Sequence, residues 1–352
     1  MYKTKVLTTE NKKWNELIEK LDKKDVYYLS EYLKAWEDEI GKPELFFFGN
    51  NNNFVIHVYF KRRINDLSFA HSLKEEYFDI VSPEYYSGPT IHIDGGNKKN
   101  IYLGFFKAFG EYCKKNNIIC EFTRLHPFIK NYDDFGEVIN TEKDYELVYI
   151  DLKKEISQIF AEFKKSNRNI INKAEREGVV IRKSRKKEDI KKFFEIYNKT
   201  MNRKNVKTQY FHSLDFFEDL LETLKDNSAL YLAEYNGKVI AASIFLFGYG
   251  FFHYFRSGMV KEYSNLGASN LILYKVIKEG KEKGYNVFSL GGGNAANDGI
   301  FKFKQSFSKD TTFFYYYKKI HDQEIYKMLE KIYKEKENQI IEDFFPIYRS
   351  KI

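Results

Sequence analysis

Apolar residues in the second half of the chain recur at two different periods. Between residues 156 and 174 they return every three or four positions, which predicts a helix with one buried face. The runs 229–235 and 238–247 are rich in apolar and aromatic residues, as strands are. They flank Asn236-Gly237, the strongest short signal for a β-hairpin. Helices and strands therefore alternate in this half.

The first half shows a similar order of elements. Its pattern predicts a helix beginning near Trp14, a hairpin over residues 44–60, a helix over residues 103–115 and a strand over residues 118–125. Residues 80–90 carry two prolines and a glycine and are predicted to form a loop. Because the order repeats, we predict an α/β (α+β) fold of two similar domains, each a mixed twisted sheet flanked by helices.

Length supports two domains. A chain of 352 residues exceeds what one ordinary hydrophobic core supports. We place the boundary near residue 150, which gives domains of residues 1–150 and 151–352. The second domain is predicted to end in an amphipathic helix, since Ile325, Met328 and Leu329 share one face.

Composition is that of a folded protein. Hydrophobic residues make up 43% of the chain, aromatic residues 18% and charged residues 31%, which excludes a disordered chain. Cys113 and Cys120 are too few for a disulfide framework. The first twenty residues lack the apolar core of a signal peptide, and no window approaches the roughly 20 apolar residues that span a bilayer. We therefore expect a cytoplasmic protein, and contact with the inner face of the membrane stays open.

Positive charge is concentrated in one stretch. The chain has a formal net charge of +8, and residues 151–207 hold 18 Lys or Arg against 8 Asp or Glu. Such a field attracts an anionic partner, such as a nucleotide, phospholipid head groups or tRNA. The alternative is a solvated helix face, because acidic residues are interleaved throughout the stretch.

The order of elements in residues 178–317 resembles the acetyltransferase fold known as GNAT. Antiparallel strands precede a turn that enters a helix, and a parallel strand follows. The turn Leu266-Gly267-Ala268 occupies the place of that superfamily's pyrophosphate-binding motif, without its leading basic residue and second glycine. The resemblance implies a donor phosphate turn, since free N–H groups at a helix N-terminus bind phosphate. A plain tight turn into a core helix is the alternative.

Four segments together resemble the Fem family of peptidyl aminoacyl transferases, the FemAB-like proteins of bacterial envelope biosynthesis. They are FKKSNRNIINKAEREGVVI, SLGGGNAANDGIFKFKQSF, SPEYYSGP and EFTRLHPF. The resemblance covers roughly residues 25–317. It implies two GNAT-like domains, residues 1–150 on the acceptor side and residues 151–352 on the donor and catalytic side, with the acceptor in the cleft between them.

The resemblance implies a transferase that moves an aminoacyl or acyl group onto an amine of a peptidoglycan or surface-polysaccharide precursor. The reaction is attack by a neutral amine on an activated carbonyl, so the site must stabilise a developing oxyanion. The implied donor co-substrate is aminoacyl-tRNA or acyl-CoA, and the implied acceptor is an anionic nucleotide- or lipid-linked precursor. No tightly bound cofactor and no DNA partner are expected. No metal is expected either, because the seven histidines show no ligand spacing.

Lys304 is the first candidate for the electrostatic role. It follows Phe303 where the Fem family places a functional Phe-Lys pair, so the resemblance implies a catalytic Lys304 with Phe303 packed beside it. The alternative is that Lys302 and Lys304 are solvent-facing residues of a short element.

Three successive glycines precede this pair. Gly291, Gly292 and Gly293 cost backbone entropy unless close approach or positive φ is needed, which predicts a ligand-facing turn. Asp298 is the nearest acid to Lys304 in sequence. It is a candidate catalytic group or, the interpretation we favour, the N-cap of the following helix.

The strand FFHYFRSG contributes further candidates. Strict alternation places Tyr254 and Arg256 on one face and His253 and Phe255 on the other. Arg256 would then clamp a phosphate or carboxylate with Tyr254 beside it. His253 is a candidate general base, and a hydrogen-bonded core histidine is the alternative.

Other candidates lie in the first half and on the basic stretch. Tyr85, Tyr86 and Gly88 are predicted to line the acceptor site, and Arg124 with His126 to meet its anionic groups. A structural loop and a strand-end ion pair are the alternatives.

Arg168 and Lys173 are predicted to contact a nucleotide or pyrophosphate, because they lie on the basic helix.

Two other functions remain open. One is an acyl-CoA-dependent GNAT-type N-acyltransferase that acts on a nucleotide-linked amino sugar. The other is a non-catalytic protein that binds RNA or an anionic surface, although most aromatics here fall at buried periodicities and stacking platforms need exposed ones.

Overall fold

The fold is described from a computed structural model, which covers residues 2–204, 206, 208–293, 298–337 and 340–350. The β-strands of these residues are β1 (Lys3–Leu7), β2 (Lys42–Gly49), β3 (Asn53–Arg63), β4 (Phe78–Val81), β5 (Thr90–Ile93), β6 (Ile118–Arg124), β7 (Glu142–Asp151), β8 (Val180–Ser184), β9 (Ser228–Tyr235), β10 (Lys238–Gly248), β11 (Phe251–Met259), β12 (Val287–Gly291) and β13 (Thr311–Ile320).

Helices occur between most of these strands. The α-helices of the described residues are α1 (Lys13–Lys20), α2 (Ser30–Lys34), α3 (Glu37–Ile40), α4 (Lys98–Lys115), α5 (Tyr132–Phe135), α6 (Ile156–Glu162), α7 (Lys165–Arg176), α8 (Lys187–Lys204), α9 (Leu214–Thr223), α10 (Ala268–Glu282), α11 (Gly299–Lys304) and α12 (Gln323–Lys336). No helix among the described residues is both long and apolar enough to cross a membrane.

The chain divides into two compact units. The first comprises Met1–Asp144 and Phe314–Ile352, and the second comprises Tyr145–Phe313. The structure thus differs from the predicted grouping at one end, because the C-terminal segment lies with the first unit. The cause is a set of long-range contacts: Leu329 on α12 belongs to an apolar cluster with Ile119 and Phe69, and Arg349 donates to the buried Asp79 at 2.8 Å.

A mixed sheet forms the first unit. Its strand order is β1-β2-β3-β4-β6-β13, with β5 also paired to β3. β4 and β6 are parallel, and the other neighbouring pairs in this unit are antiparallel. Helix α4 buries Phe105 and Phe109 against Phe46 on β2. The periodicity of residues 103–115 predicted this buried face.

In the second unit the strands pair in the order β7-β12-β11-β10-β9-β8, with both parallel and antiparallel neighbours. The β9–β10 hairpin is confirmed, since Asn236 and Gly237 both have positive φ, at 50° and 68°, as a tight hairpin turn requires. β11 and β12 are parallel over three residue pairs only, from Phe251 opposite Val287 to His253 opposite Ser289. The mixed α/β fold class predicted from the sequence is confirmed.

Candidate active site

The glycine turn after β12 lies against Lys304. Gly291 ends the strand with φ +76°, and a Cβ atom there would lie 3.2 Å from Lys304 Nζ. Lys304 Nζ donates a hydrogen bond of 2.6 Å to the carbonyl oxygen of Gly292. The structure therefore brings together the glycine turn and the lysine that the sequence singled out. Of the glycine-rich segment, residues 294–297 lie outside the described residues.

Lys304 is the last residue of α11, which Asp298 initiates. The Asp298 carboxylate accepts a hydrogen bond of 2.7 Å from the N–H of Phe301, as an N-cap does. This is the role that we favoured for Asp298 from the sequence. The negative charge of Asp298 also acts on Lys304.

Burial lowers the pKa of Lys304 from its ordinary value to about 7. The positive charge of Lys204 acts in the same direction, and the negative charge of Asp298 opposes both. Lys304 makes no ion pair within 4 Å with any carboxylate of the described residues. Near neutral pH the amine is therefore held close to the midpoint of its titration beside a backbone carbonyl.

Phe303 points into the core beside this site. Its ring meets the ring of Phe307 edge to face at 5.4 Å, and it packs on the main apolar cluster of the second unit. The other candidate on α11, Lys302, is exposed.

Two segments that carried the Fem resemblance meet in space. Asn167 on α7 donates to the carbonyl oxygen of Ser306 at 3.1 Å, and the N–H of Lys164 donates to the same oxygen at 2.9 Å. The rings of Phe163 and Phe307 lie 5.2 Å apart. The start of α7 therefore fixes the position of the chain directly after Lys304.

The basic residues predicted on α7 contact backbone carbonyls. Arg168 donates to the carbonyl oxygens of Ala161, at 2.8 Å, and Phe163 at the end of α6. Lys173 donates at 3.2 Å to the carbonyl oxygen of Asn265. Both contacts stabilise helix and turn ends. A role in binding a nucleotide stays a prediction.

The predicted donor phosphate turn leads directly into α10. Gly267 has φ +68°, and a Cβ atom there would lie 2.6 Å from Ile170 Cγ1. Close packing against α7 therefore explains the glycine without a ligand. Leu266 and Ala268 are buried beside it. No side chain of the described residues caps the N-terminus of α10. Binding of a donor phosphate by its first N–H groups stays a prediction.

The pairing of strand β11 differs from the alternation that the sequence predicted for it. Ile244 on β10 pairs with Arg256 and Phe245 pairs with Tyr254, so Phe255 is an extra residue in a β-bulge. The bulge breaks the alternation, and Tyr254 and Arg256 do not share a face as predicted. Arg256 lies over the ring of Phe255 at 4.4 Å, whereas Tyr254 stacks on Phe245 at 5.5 Å.

The two residues therefore lie in different environments. Arg256 is 7% exposed, and its Nη2 lies 3.4 Å from His212 Nε2. Burial raises the pKa of Tyr254, and hydrogen bonds from Ser257 and Ser243 oppose that shift. His253 is 2% exposed, next to Ser289 on β12. A clamp made of Tyr254 and Arg256 together is not what the structure shows.

In the first unit the predicted acceptor loop is rigidly held. Tyr85 adopts φ 78°, an uncommon value for a bulky residue, and its ring stacks on Tyr27 at 5.3 Å. The loop carbonyls accept hydrogen bonds from buried hydroxyls, Glu84 from Tyr32 at 2.9 Å and Ser87 from Tyr28 at 3.2 Å. Such strain is found at ligand sites, and the loop stays a candidate.

The remaining candidates of the first unit surround this loop. His126 Nε2 lies 2.7 Å from a carboxylate oxygen of Asp25, and both side chains are fully buried, so this histidine has a structural partner. Tyr86 packs on His126 at 5.5 Å. Burial raises the pKa of Tyr86, and the charge of Arg124 opposes that shift, which places Arg124 near the loop. Gly88 has φ +101° at the end of the loop.

Sequence reasoning missed Lys204, whose charge acts on Lys304. It is the last residue of α8, and its own pKa is lowered by burial and by Arg203 and raised by Asp298. One hundred residues separate it from Lys304, and no local pattern connects the two. Its position at a helix end inside the basic stretch was the only signal.

A substitution at Gly291 tests whether the turn positions the lysine. Gly291→Ala is expected to lower turnover by roughly tenfold or more, because the new Cβ displaces the Lys304 amine and small misplacements are costly. Gly284→Ala is the matched control, since Gly284 has φ +77° but open space around it. Both variants should lose about 1 kcal/mol of stability, but only the first should lose activity. Equal turnover in steady-state assays of the two variants would contradict the role of the turn.

Comparisons with known proteins agree with this picture. Residues 161–305 match the family model described as the acetyltransferase (GNAT) domain. No curated protein matches the chain. The GNAT match confirms the predicted class of enzyme, an acyl- or aminoacyltransferase.

Solved structures resemble the whole chain. The crystal structure of FemX aligns with a TM-score of 0.72 at 12% identity, over 93% of this chain and 100% of that one. L-PGS from Bacillus licheniformis aligns with a TM-score of 0.58 at 14% identity, over 88% of this chain and 91% of that one. A protein of unknown function from Bacteroides thetaiotaomicron aligns with a TM-score of 0.57 at 13% identity, over 90% and 99% of the two chains. The predicted resemblance to Fem-type GNAT proteins is confirmed as a likeness of fold.

Proposed function

We propose that this chain transfers an acyl or aminoacyl group from an activated donor to an amine of a cell-envelope precursor, in peptidoglycan or surface-polysaccharide synthesis. The likeness to FemX supports the envelope precursor, and the GNAT domain supports the acyl transfer. The observation that carries the proposal is the amine of Lys304 beside the glycine turn, without a carboxylate partner among the described residues.

A charge in this setting suits acyl transfer. When a neutral amine attacks the donor carbonyl, a C–N bond forms and the carbonyl electron pair moves to oxygen. The protonated Lys304 would stabilise that oxyanion, at low reorganisation cost because Gly292 already fixes its position. Collapse of the intermediate breaks the bond to the leaving group. A pKa of about 7 lets Lys304 give its proton to the leaving group and regain one from the acceptor nitrogen.

The pH dependence of turnover is expected to report this lysine. Lys304 loses its proton as pH rises through about 7, whereas arginine in its place stays charged. The ratio of turnover between the wild type and Lys304→Arg should therefore fall between pH 6 and pH 9. The ratio removes the titration of the acceptor amine, which affects both enzymes equally. A ratio that rises with pH would show that Lys304 acts as a neutral base instead.

The donor is the open part of this proposal. The comparisons offer no support for aminoacyl-tRNA, while the GNAT domain is compatible with acyl-CoA. The turn Leu266-Gly267-Ala268 at the start of α10 is the proposed contact for donor phosphates.

Release of the leaving group tests the donor. The protein is incubated with acetyl-CoA, longer acyl-CoAs or aminoacyl-tRNA, together with an amine-bearing envelope precursor, and free thiol or deacylated tRNA is measured. One donor class is expected to be consumed only when the amine is present. Consumption of none of them with any nucleotide- or lipid-linked precursor would refute the proposed function.

A further inference from the structure

A groove of about 800 Å³ opens on the second unit, and neither Lys304 nor Gly292 lines it. Its walls are the later turns of α8, the tip of the β9–β10 hairpin at Gly237, the end of β11 at Met259 and the turn that follows. This volume lies in the range of small-molecule sites. The residues predicted from the sequence to bind substrate do not line it.

Cations dominate the rim of the groove. The basic residues that line it are Lys192, Lys199, Arg203, Lys238 and Lys261, and the acidic ones are Glu195 and Glu262. All seven are exposed. They come from three separate segments, so folding brings together charges that are apart in sequence.

Few of these charges are neutralised within the protein. Lys192 pairs with Glu195 at 3.2 Å. Lys199, Lys238 and Lys261 make no ion pair with a described carboxylate. Unpaired cations that converge on a concave surface produce a focused positive potential, which attracts anions.

The floor of the groove is apolar and fixed. Ile196 is buried, and Val239 and Val260 are partly buried. Thr200 ties α8 to the end of β11, because its Oγ1 donates to the carbonyl oxygen of Met259 at 3.2 Å and accepts from the N–H of Met259 at 3.0 Å. A ligand that covers this floor would bury apolar surface while its anionic groups meet the rim.

We propose that this groove binds a ligand that carries two or more phosphate groups next to an apolar portion. Several cations around one cavity match several negative charges, and a single carboxylate would leave most of them unpaired. The apolar floor makes the site suited to an amphipathic anion. The proposal does not rest on the transfer reaction, and the groove can bind its ligand whether or not Lys304 is catalytic.

Two probes and two triple variants test the proposal. The groove variant is Lys199→Gln with Lys238→Gln and Lys261→Gln. The control variant carries the same charge change at lysines that are exposed on the same unit but do not line the groove: Lys153→Gln, Lys225→Gln and Lys309→Gln. Binding of inorganic tripolyphosphate is measured by calorimetry, and binding of vesicles that contain cardiolipin, a lipid with two phosphates, by sedimentation, each at low and at moderate salt.

Wild-type and control proteins are expected to bind at least one probe, and the groove variant to bind it at least tenfold more weakly. Binding should weaken as salt increases, because the contacts are ionic. Tripolyphosphate binding indicates a soluble phosphate ligand, and binding to vesicles alone indicates a lipid head group. Failure of the wild type to bind either probe overturns the proposal. Equal weakening in both variants also overturns it, since that result reflects diffuse surface charge.

Discussion

Lys304→Met is expected to lower turnover by about two orders of magnitude at saturating substrate while the protein stays folded. A preorganised charge that meets a developing oxyanion contributes about 2.7–4 kcal/mol to barrier lowering, or roughly 10²–10³ in rate. Lys304 meets the structural requirement, since its amine is held at 2.6 Å from the Gly292 carbonyl and has no carboxylate partner among the described residues. Steady-state kinetics of the purified variant gives the measurement.

The free energy of unfolding of Lys304→Met, unlike its turnover, should not fall below that of the wild type at pH 7. Because burial depresses the pKa of Lys304 in the folded protein, the unfolded chain binds more protons between pH 7 and the ordinary lysine value. This group therefore lowers stability below about pH 7, and the deficit disappears as pH rises toward 10.5. Lys304→Met should thus be at least as stable as the wild type at pH 7. The gap between the two should narrow at higher pH.

Lys302→Met is the control for the kinetic effect. Lys302 lies on the same helix two residues away and is exposed, so its removal should leave turnover unchanged. Equal losses in the two variants would mean that general surface charge is responsible. Wild-type turnover in Lys304→Met would show that this lysine is not the catalytic group.

Asp79→Ala is expected to destabilise the first unit by about 3 kcal/mol or more. The Asp79 carboxylate is fully buried and accepts from Arg62 at 2.6 Å and from Arg349 at 2.8 Å. Removing it leaves two guanidinium groups facing a buried site, which typically costs about 3–5 kcal/mol. Because Arg349 lies in the C-terminal segment, that segment should also become sensitive to proteolysis. Urea unfolding and limited proteolysis measure both effects.

The control for this prediction is Asp66→Ala. Asp66 also pairs with an arginine, Arg63 at 2.8 Å, but both side chains are largely exposed. Such surface pairs contribute about 0.2–1 kcal/mol, so the control should unfold close to the wild type. Equal midpoints for the two variants would show that Asp79 does not anchor the C-terminal segment.

Local patterns predicted the elements of the fold well. The Asn236-Gly237 turn formed the expected hairpin, because both residues tolerate positive φ and the flanking runs are apolar. The buried face of α4 followed from its helical spacing. The glycine turn and Lys304 lie only eleven to thirteen positions apart, so their contact was also accessible from sequence.

Features that depend on contacts between distant residues could not be predicted from local sequence patterns. The bulge at Phe255 depends on the pairing of β11 with β10, and nothing in the run FFHYFRSG indicates it. The grouping of the C-terminal segment depends on the Asp79–Arg349 ion pair, which joins residues 270 positions apart. The effect of Lys204 on the pKa of Lys304 also joins residues that are far apart in the sequence.

Buried clusters of polar residues could not be predicted from the sequence either. Glu121 lies 3.3 Å from His321 and 3.6 Å from His57, which come from three distant segments. Burial alone would raise the pKa of Glu121, but the two histidines lower it to about 2. No spacing in the sequence brings these three residues together, so the cluster could be found only from the structure.

Mass spectrometry of the acceptor is the most direct test of the central claim. An amine-bearing envelope precursor is incubated with an isotopically labelled acyl or aminoacyl donor and with either the wild type or Lys304→Met. The wild type should yield an acceptor heavier by the labelled group in amide linkage, and the variant should yield about one hundredth as much in the same time. No labelled acceptor with the wild type, or equal yields from both proteins, would contradict an acyl or aminoacyl transfer that depends on Lys304.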